Sequence, residues 1–206
     1  MLHWSVRMAG EFPKPWPLRF GPVNSADDEV TRWALQARGG DREALERFVR
    51  ATQRDVWRFV AHLADVGVAD DLAQETFLRA LPSLRHFEGR SSARTWLLSI
   101  ARRVVVDQVR MARSRPRVSP GVDWVQAADR GQGTSSGFTE AVELNVLLDG
   151  LAAERREALV LTQVLGLGYA EAAEIVGCPI GTIRSRVARA REDLVRAAGQ
   201  DASEAG

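Results

Sequence analysis

The feature that most constrains the fold is the spacing of apolar residues, which recur every three or four positions along most of the chain. After Asp41 they fall at Leu45, Phe48, Val49, Val56, Phe59, Val60 and Leu63. That spacing places them on one face of an α-helix. No segment alternates apolar and polar residues between hairpin turns, as the strands of a half-buried sheet would. The sequence therefore predicts an all-α protein.

The helical pattern falls into two blocks, because the period disappears over residues 113–139. That stretch is rich in Gly, Ser, Pro and Arg, which is typical of a linker that could span up to ~90 Å when extended. We therefore expect two small helical domains, residues 25–112 and 140–198, joined by a flexible linker. Residues 1–24, which hold four of the eight prolines, and residues 199–206 are expected to be disordered.

Cap and turn residues predict four helices in the first block. The first ends at Gly39-Gly40, and the second begins after Asp41, its expected N-cap, and ends at Gly67. The third covers residues 70–81 and is closed by Pro82. The fourth covers about residues 95–112.

The second block ends in a helix-turn-helix pattern. A short helix at Tyr169–Val176 is followed by the turn Gly177-Cys178-Pro179 and a last helix to about Ala197. Two helices joined by a short turn that contains Gly are typical of this motif. At 100° per residue, one side of the last helix faces the core. The core-facing residues are Ile183, Val187, Ala190 and Leu194.

The opposite side of that last helix begins with small and basic residues, which suit a DNA groove. Small side chains let base edges approach, arginines reach guanine edges or phosphates, and the helix N-terminus attracts anions. An amphipathic bundle helix with solvated arginines is the alternative. The candidate DNA-binding residues are Thr182, Arg184, Ser185, Arg186 and Arg189.

Charge separates along the chain, although the net charge is only +1. Residues 27–75 hold eleven acidic residues against seven arginines, and residues 85–117 hold nine arginines against two acidic residues. Such a division is typical of a chain that meets different partners at different places, with solvated faces as the alternative. The single cysteine, Cys178, excludes an intramolecular disulfide. Without a signal peptide or a membrane-length apolar run, a cytoplasmic location is expected.

Three motifs, in order, resemble those of bacterial group 4 sigma factors, the extracytoplasmic-function (ECF) type of the sigma-70 family. DDLAQETFLRAL (residues 70–81) is similar to region 2.2. FEGRSSARTWLLSIARRVVVDQVR (residues 87–110) is similar to regions 2.3 and 2.4. LVLTQVLGLGYAEAAEIVGCPIGTIRSRVARARE (residues 159–192) is similar to region 4. The chain most resembles the actinobacterial sigma-C group, and no region 3 domain separates its two blocks.

The resemblance implies a promoter-specificity subunit of RNA polymerase with no catalytic activity of its own. Its region 2.2 helix would bind the β′ clamp helices through Asp71, Gln74 and Glu75, and the polymerase β flap would be a further contact. An acidic face suits a protein partner, although an acidic first turn also suits the helix dipole. Promoter DNA is the second implied partner, and an anti-sigma factor is a third that the family allows. No cofactor, metal or membrane is implied.

The resemblance also implies that residues 86–110 open and read the −10 element, while the last helix reads the −35 element. The family turns a base into a loop pocket, which costs about a few kcal/mol that stacking and hydrogen bonds must return. Arg103 stands where the family often has asparagine. Trp96 is a candidate for stacking on a base, but its neighbours Leu97 and Ile100 favour a place in the core. The implied −10 residues are His86, Phe87, Arg90, Ser91, Ser92, Arg94, Arg102, Arg103 and Arg110.

Two other classes of function are weighed. A stand-alone helix-turn-helix regulator, with the first block as a sensor or dimerisation domain, would not associate with core polymerase. An enzyme is disfavoured because His3, His62 and His86 lie in different settings and no nucleophile, base and acid stand at catalytic spacing. His62, on a periodic helix, is expected to be a packing residue.

Overall fold

The computed structural model describes residues 25–114 and 136–204, and all the regular structure in these two ranges is helical. The prediction of an all-α protein is confirmed. The predicted N-terminal extension and most of the predicted linker lie outside the described residues. The α-helices are α1 (Ser25–Arg38), α2 (Arg42–Leu63), α3 (Ala69–Ser83), α4 (Ala93–Ser114), α5 (Ser136–Leu148), α6 (Ala153–Leu159), α7 (Tyr169–Val176) and α8 (Ile180–Glu204).

Local side chains set where the first helices begin and end. Asp41 caps α2 as predicted, because its carboxylate accepts a hydrogen bond from the Ala44 amide at 3.0 Å. However, α2 ends at Leu63 rather than at Gly67, which instead lies in a short 3₁₀ turn, Val66–Val68. Ser92 caps the beginning of α4, with its hydroxyl accepting from the Thr95 amide at 3.1 Å. The helix therefore begins slightly before the predicted residue.

Helices α1 to α4 form the N-terminal module, which is a bundle around a core of large apolar side chains. Phe48 and Phe59 of α2 are fully buried, as are Leu97 and Leu98 of α4. Each such side chain contributes roughly 1.5–3 kcal/mol by leaving water. This core holds α3 and α4 against α2, so that their outward faces have fixed directions.

Helices α5 to α8 form the C-terminal module, in which α7 and α8 are the two helices of a helix-turn-helix. The turn depends on Gly177, which has a φ of +73° and donates its amide to the Ala173 carbonyl at 2.9 Å. This left-handed backbone conformation favours glycine because it lacks a Cβ atom. A π-helical turn, Val160–Val164, continues α6 toward the motif.

The last helix is longer than the sequence predicted. The second block was expected to end at residue 198, but α8 continues to Glu204 and so includes residues 199–204 of the expected tail. Gly199 costs only about 1 kcal/mol in a helix relative to Ala, and no proline follows it to stop the helix.

The two modules lie against each other, which the sequence did not predict. Helix α7 packs on α4, and α5 and α6 pack on α2. Part of the arginine-bearing surface of α4, at Arg94 and Arg102, therefore contacts the C-terminal module.

Candidate nucleic-acid interface

The first turns of α8 present an open basic face. Ile183, Val187 and Ala190 are buried against the rest of the C-terminal module, as the helical spacing predicts. The residues on the other side point outward, and we call them the recognition face. Of this set, Arg184, Ser185 and Arg189 are exposed and Thr182 and Arg186 are half-buried.

Polar contacts at the edges of α8 hold it in place without using the recognition face. Arg191 donates to the side-chain oxygen of Gln163 at 2.9 Å, and Arg155 of α6 forms an ion pair with Asp193. Within residues 25–114 and 136–204, no ion pair includes Arg184 or Arg189. The charge of the recognition face is thus directed to solvent.

Gly181 lies in the first turn of α8, although the packing of the protein does not require a glycine there. An added Cβ atom at this position would meet nothing within 4 Å, unlike at Gly168, where it would contact Glu171. Helix propensity favours Ala over Gly by about 1 kcal/mol. The space beside this residue therefore lies on the outside of the protein, where a ligand could approach the backbone.

The loop before α4 holds the exposed part of the predicted −10 residues. His86 and Arg90 are exposed, and Ser91 and Ser92 are half-buried. His86 accepts a hydrogen bond from Arg85 at 2.9 Å, and Arg90 forms an ion pair with Glu88. His86 and Arg90 thus face solvent, whereas the Ser92 hydroxyl is engaged in capping α4.

Phe87 corrects one prediction. Its ring is only 4% exposed and packs beside the Trp96 ring, with 5.1 Å between the ring centroids. In this arrangement Phe87 fills the core at the beginning of α4 and offers no face on which a base could stack. Trp96 is half-buried against the core, as expected, and also borders the cleft between α4 and α7.

Two of the predicted −10 arginines bind the C-terminal module. Arg94 forms an ion pair with Asp55 at 2.7 Å and donates to the Leu165 carbonyl at 2.6 Å. Arg102 forms an ion pair with Glu157 of α6 at 2.7 Å. Both arginines are thus engaged by carboxylates and a carbonyl, which are the acceptors that a guanidinium prefers.

The other −10 arginines lie farther along α4. Arg103 is exposed and lines the cleft that separates α4 from α7, together with Glu174 and Gly177. Arg110 is exposed near the end of the helix. The structure therefore places the predicted set in three settings: an open loop, a contact with the C-terminal module, and an exposed stretch of helix.

A second polar contact joins the modules at the end of α2. His62, only 2% exposed, shares a hydrogen bond of 2.7 Å between its Nδ1 and the Asn145 side-chain oxygen. The Asn145 amide donates to the Ala61 carbonyl at 2.9 Å, and Arg156 donates to the His62 carbonyl. The prediction that His62 is a packing residue was incomplete, because it also takes part in a polar network.

Helix α3 presents a mixed polar and apolar face. Asp71 and Gln74 are exposed, whereas Glu75 is half-buried and forms an ion pair with Arg79 at 2.7 Å. Leu78 and Leu81, which the prediction left out, are exposed on the same side, Leu78 to 60%. The sequence does indicate their exposure, because Leu78 and Leu81 do not share the helix face of the buried residues Leu72, Thr76 and Ala80.

Arg79 links this face to α4. It forms a second ion pair with Asp107 at 2.6 Å, and hydrogen bonds from Arg79 to Asp107 and Glu75 hold the pKa of its guanidinium above the ordinary value. Because all three side chains are more than a third exposed, the pairs contribute little to stability.

Matches to protein families cover both modules. The model of "Sigma-70 region 2" matches residues 48–115, and the model of "Sigma-70, region 4" matches residues 141–194. The "Probable RNA polymerase sigma-C factor" of Mycobacterium bovis is 55% identical over 177 residues, which are 86% of this chain and 95% of that protein. The "ECF RNA polymerase sigma-E factor" of Escherichia coli is 32% identical over 166 residues, with 75% and 86% covered.

Solved structures agree with these matches. CnrH, in complex with the cytosolic domain of CnrY, has a TM-score of 0.64 and 25% identity over 84% of this chain and 99% of that chain. The sigma factor RpoE of Bartonella quintana, in complex with the anti-sigma factor NepR, has a TM-score of 0.56 and 28% identity, covering 73% and 93% of the two chains.

The fold and the open basic helix define a helical protein that carries a DNA-binding helix-turn-helix. The chain belongs to the sigma-70 family and, within it, to the ECF sigma factors. It is therefore a transcription initiation factor, which acts with core RNA polymerase at promoters. The N-terminal module corresponds to region 2 and the C-terminal module to region 4. Among residues 25–114 and 136–204, no helix has both the length and the apolar character to cross a bilayer.

Proposed function

We propose that the recognition face of α8 reads the −35 element and that residues 86–110 read and help to open the −10 element. The observation that carries the proposal is the open basic face of α8, seated on a buried apolar stripe and free of competing ion pairs among the described residues. Its arginines stand beside small residues at the beginning of a recognition helix, where base edges can be reached.

The −10 assignment requires the two modules to separate. Arg94 and Arg102 are bound to Leu165 and Glu157 in the structure, so they cannot contact phosphates at the same time. His86, Arg90 and Arg103 are exposed and could meet DNA first. The 21 residues between the modules, 115–135, could span up to ~75 Å if fully extended, which would let the modules occupy separate promoter elements.

Polymerase binding is assigned to the outer face of α3. Exposed Leu78 and Leu81 beside Asp71 and Gln74 make a surface with an apolar centre and a polar edge, as protein interfaces have. Glu75, held by Arg79, would contribute less to this surface than Asp71 and Gln74 do.

This surface can be tested by measuring the affinity of the chain for core polymerase. Changing Gln74→Ala and Leu78→Ala together should weaken binding roughly tenfold or more, because an interface depends on a few central side chains. Changing Arg47→Ala, at an exposed position of α2, is the matched control and should leave the affinity unchanged. Equal affinity for both variants would remove α3 from the interface.

The runner-up function is a stand-alone regulator that uses the same helix-turn-helix without polymerase. Transcription in vitro, with core polymerase and a library of random promoters, separates the two. The sigma factor assignment predicts RNA from a subset of templates only when the chain is added. Polymerase that starts no RNA from any template would contradict it. We also propose that the chain has no catalytic activity of its own and that it works in the cytoplasm, where bacterial polymerase meets DNA.

An anti-sigma factor is proposed as a further partner. RpoE of Bartonella quintana, a structural neighbour, was solved with the anti-sigma factor NepR. Pull-down of the full-length chain from the source bacterium, with polymerase removed, would test whether a partner of this kind exists.

A further inference from the structure

Two carboxylates, from α1 and α2, flank the guanidinium of Arg94 where the modules meet, and a carboxylate of the C-terminal module acts on the same group of charges. Arg94 of α4 forms an ion pair with Asp55 of α2 at 2.7 Å and lies 3.9 Å from a carboxylate oxygen of Asp27 of α1. Arg94 is only 15% exposed in its side chain, and Asp27 only 13%. The third carboxylate, Glu171, is contributed by α7 of the C-terminal module.

Glu171 is tied to both modules. One of its carboxylate oxygens accepts from the Gly168 amide at 2.9 Å, which caps its own helix. The other accepts from the Thr95 hydroxyl of α4 at 3.3 Å. When the modules dock, the negative charge of Glu171 therefore comes close to Asp27 and Asp55, which already share the positive charge of Arg94.

The electrostatic environment of Asp27 shows the conflict. Burial raises the pKa of Asp27, Arg94 lowers it, and the neighbouring carboxylates Glu171, Asp55 and Asp28 raise it further, with a raised pKa as the result. Like charges held close together in a partly buried site favour the protonated form of one of them. Separation of the modules removes Glu171 from this set.

We propose that proton uptake by the carboxylates Asp27, Asp55 and Glu171 stabilises the contact between the two modules. The closed state, in which the modules are in contact, is then favoured at acidic pH, and the modules separate as the pH rises. The sign follows from linkage. A carboxyl whose pKa is raised in the closed state binds its proton more tightly there, so closing takes up protons. The closed state is most stable below the ordinary pKa of the carboxyl and loses this stabilisation as the pH rises through the raised pKa. The consequence for −10 access rests on the proposed function, but the proton linkage itself does not.

The test is energy transfer between dyes on the two modules of the full-length chain, without DNA or polymerase. In a Cys178→Ser background, cysteines replace Gln53 on α2 and Glu192 on α8, which are both exposed. The fraction of closed molecules is measured from about pH 3.5 to about pH 7, a range that begins near the ordinary pKa of an aspartate and extends well above it. We expect the equilibrium constant for closing to fall several-fold across this range.

Two variants identify the responsible groups. Asp27→Asn should hold the closed fraction at its acid level and flatten its pH dependence, and Glu171→Gln, which keeps the capping oxygen, should flatten it as well. Glu29→Gln, at an exposed position of the same helix as Asp27, is the matched control and should behave like the unchanged chain. Circular dichroism at both pH limits checks that each variant is folded.

Two outcomes would overturn the proposal. One is a closed fraction that does not vary with pH in the unchanged chain. The other is an undiminished pH dependence in both test variants. The assay contains no promoter DNA, so its result does not depend on whether the proposed −10 and −35 residues are correct.

Discussion

Two helices of this protein carry arginines of the same kind, yet one presents them to solvent and the other presents them to its own chain. Helix α8 holds Arg184 and Arg189 on an open face, whereas α4 holds Arg94 and Arg102 against Leu165 and Glu157. The difference does not lie in the side chains. It arises because α7 packs on α4, while no described residue covers the outer side of α8.

The comparison shows that an arginine-rich helix face can be predicted from sequence, but its availability cannot. A partly buried guanidinium is stable only when acceptors satisfy it, and Glu157, only 8% exposed, is such an acceptor. When the modules are in contact, the region 2 donors Arg94 and Arg102 and their region 4 acceptors satisfy each other's hydrogen bonds. This contact leaves the recognition face of α8 open and occupies Arg94 and Arg102 of the proposed −10 residues.

The largest effect is expected at the open face. Changing Arg184→Ala should weaken binding to a promoter that the chain transcribes by roughly 5- to 150-fold, because a base-edge arginine is worth about 1–3 kcal/mol. Arg196→Ala, on the same helix but beyond the recognition face, is the matched control and should change affinity little.

The salt dependence of binding sharpens this prediction. If Arg184 contacts a phosphate instead of a base, affinity should fall for all sequences alike and the salt slope should decrease by about one. Fluorescence anisotropy of labelled promoter DNA at several salt concentrations measures both quantities. Unchanged affinity for Arg184→Ala and Arg186→Ala would remove this face from the −35 contact.

A smaller effect is expected at the covered face. Changing Glu157→Gln keeps the size of the side chain and removes the charge that holds Arg102, so the modules should separate several-fold more readily. The ion pair is partly open to solvent, which limits its contribution to about 1 kcal/mol. Energy transfer between the same two dyes should decrease, while the affinity for single-stranded DNA should increase. Glu154→Gln, on the exposed first turn of α6, should change neither.

The smallest effect is expected at Gly181. Changing Gly181→Ala should raise the free energy of unfolding by about 0.5–1 kcal/mol, because Ala favours the helix and nothing in the protein obstructs its methyl group. Promoter binding should nevertheless weaken a few-fold if DNA approaches the backbone there. Thermal unfolding and anisotropy together check this prediction, and a variant that is more stable and binds equally well would contradict it.

Most of the fold could be predicted because the helices are set by local pattern. Asp41 at the beginning of α2 and the turn at Gly177 were predicted correctly from their residue types. The errors lie at helix ends, such as Leu63 and Glu204, where no single residue type in the sequence marks the end of the helix. Phe87 was assigned to DNA because a ring beside a polar loop does not reveal whether it turns inward.

The residues that join the modules had almost no signal in the sequence. Asn145, Arg156 and Glu171 are polar residues on amphipathic helices, where polar residues are ordinary. Glu157 alone has a weak signal in the sequence, because it lies on the apolar face of α6. In the structure it is buried there. Their partners lie 55 to 94 residues away along the chain, and no local period records such a distance.

The sequence by itself determined that this chain is helical, that it forms two modules and that its last helix places arginines opposite an apolar stripe, because each of these depends on the 3.6-residue period of a single helix. The tertiary structure alone decided which arginines remain open, since exposure depends on what another helix places against them. The same physical reason applies to the carboxylates near Arg94. The pKa of Asp27 is raised there because packing buries it and brings charges from separate helices close to it.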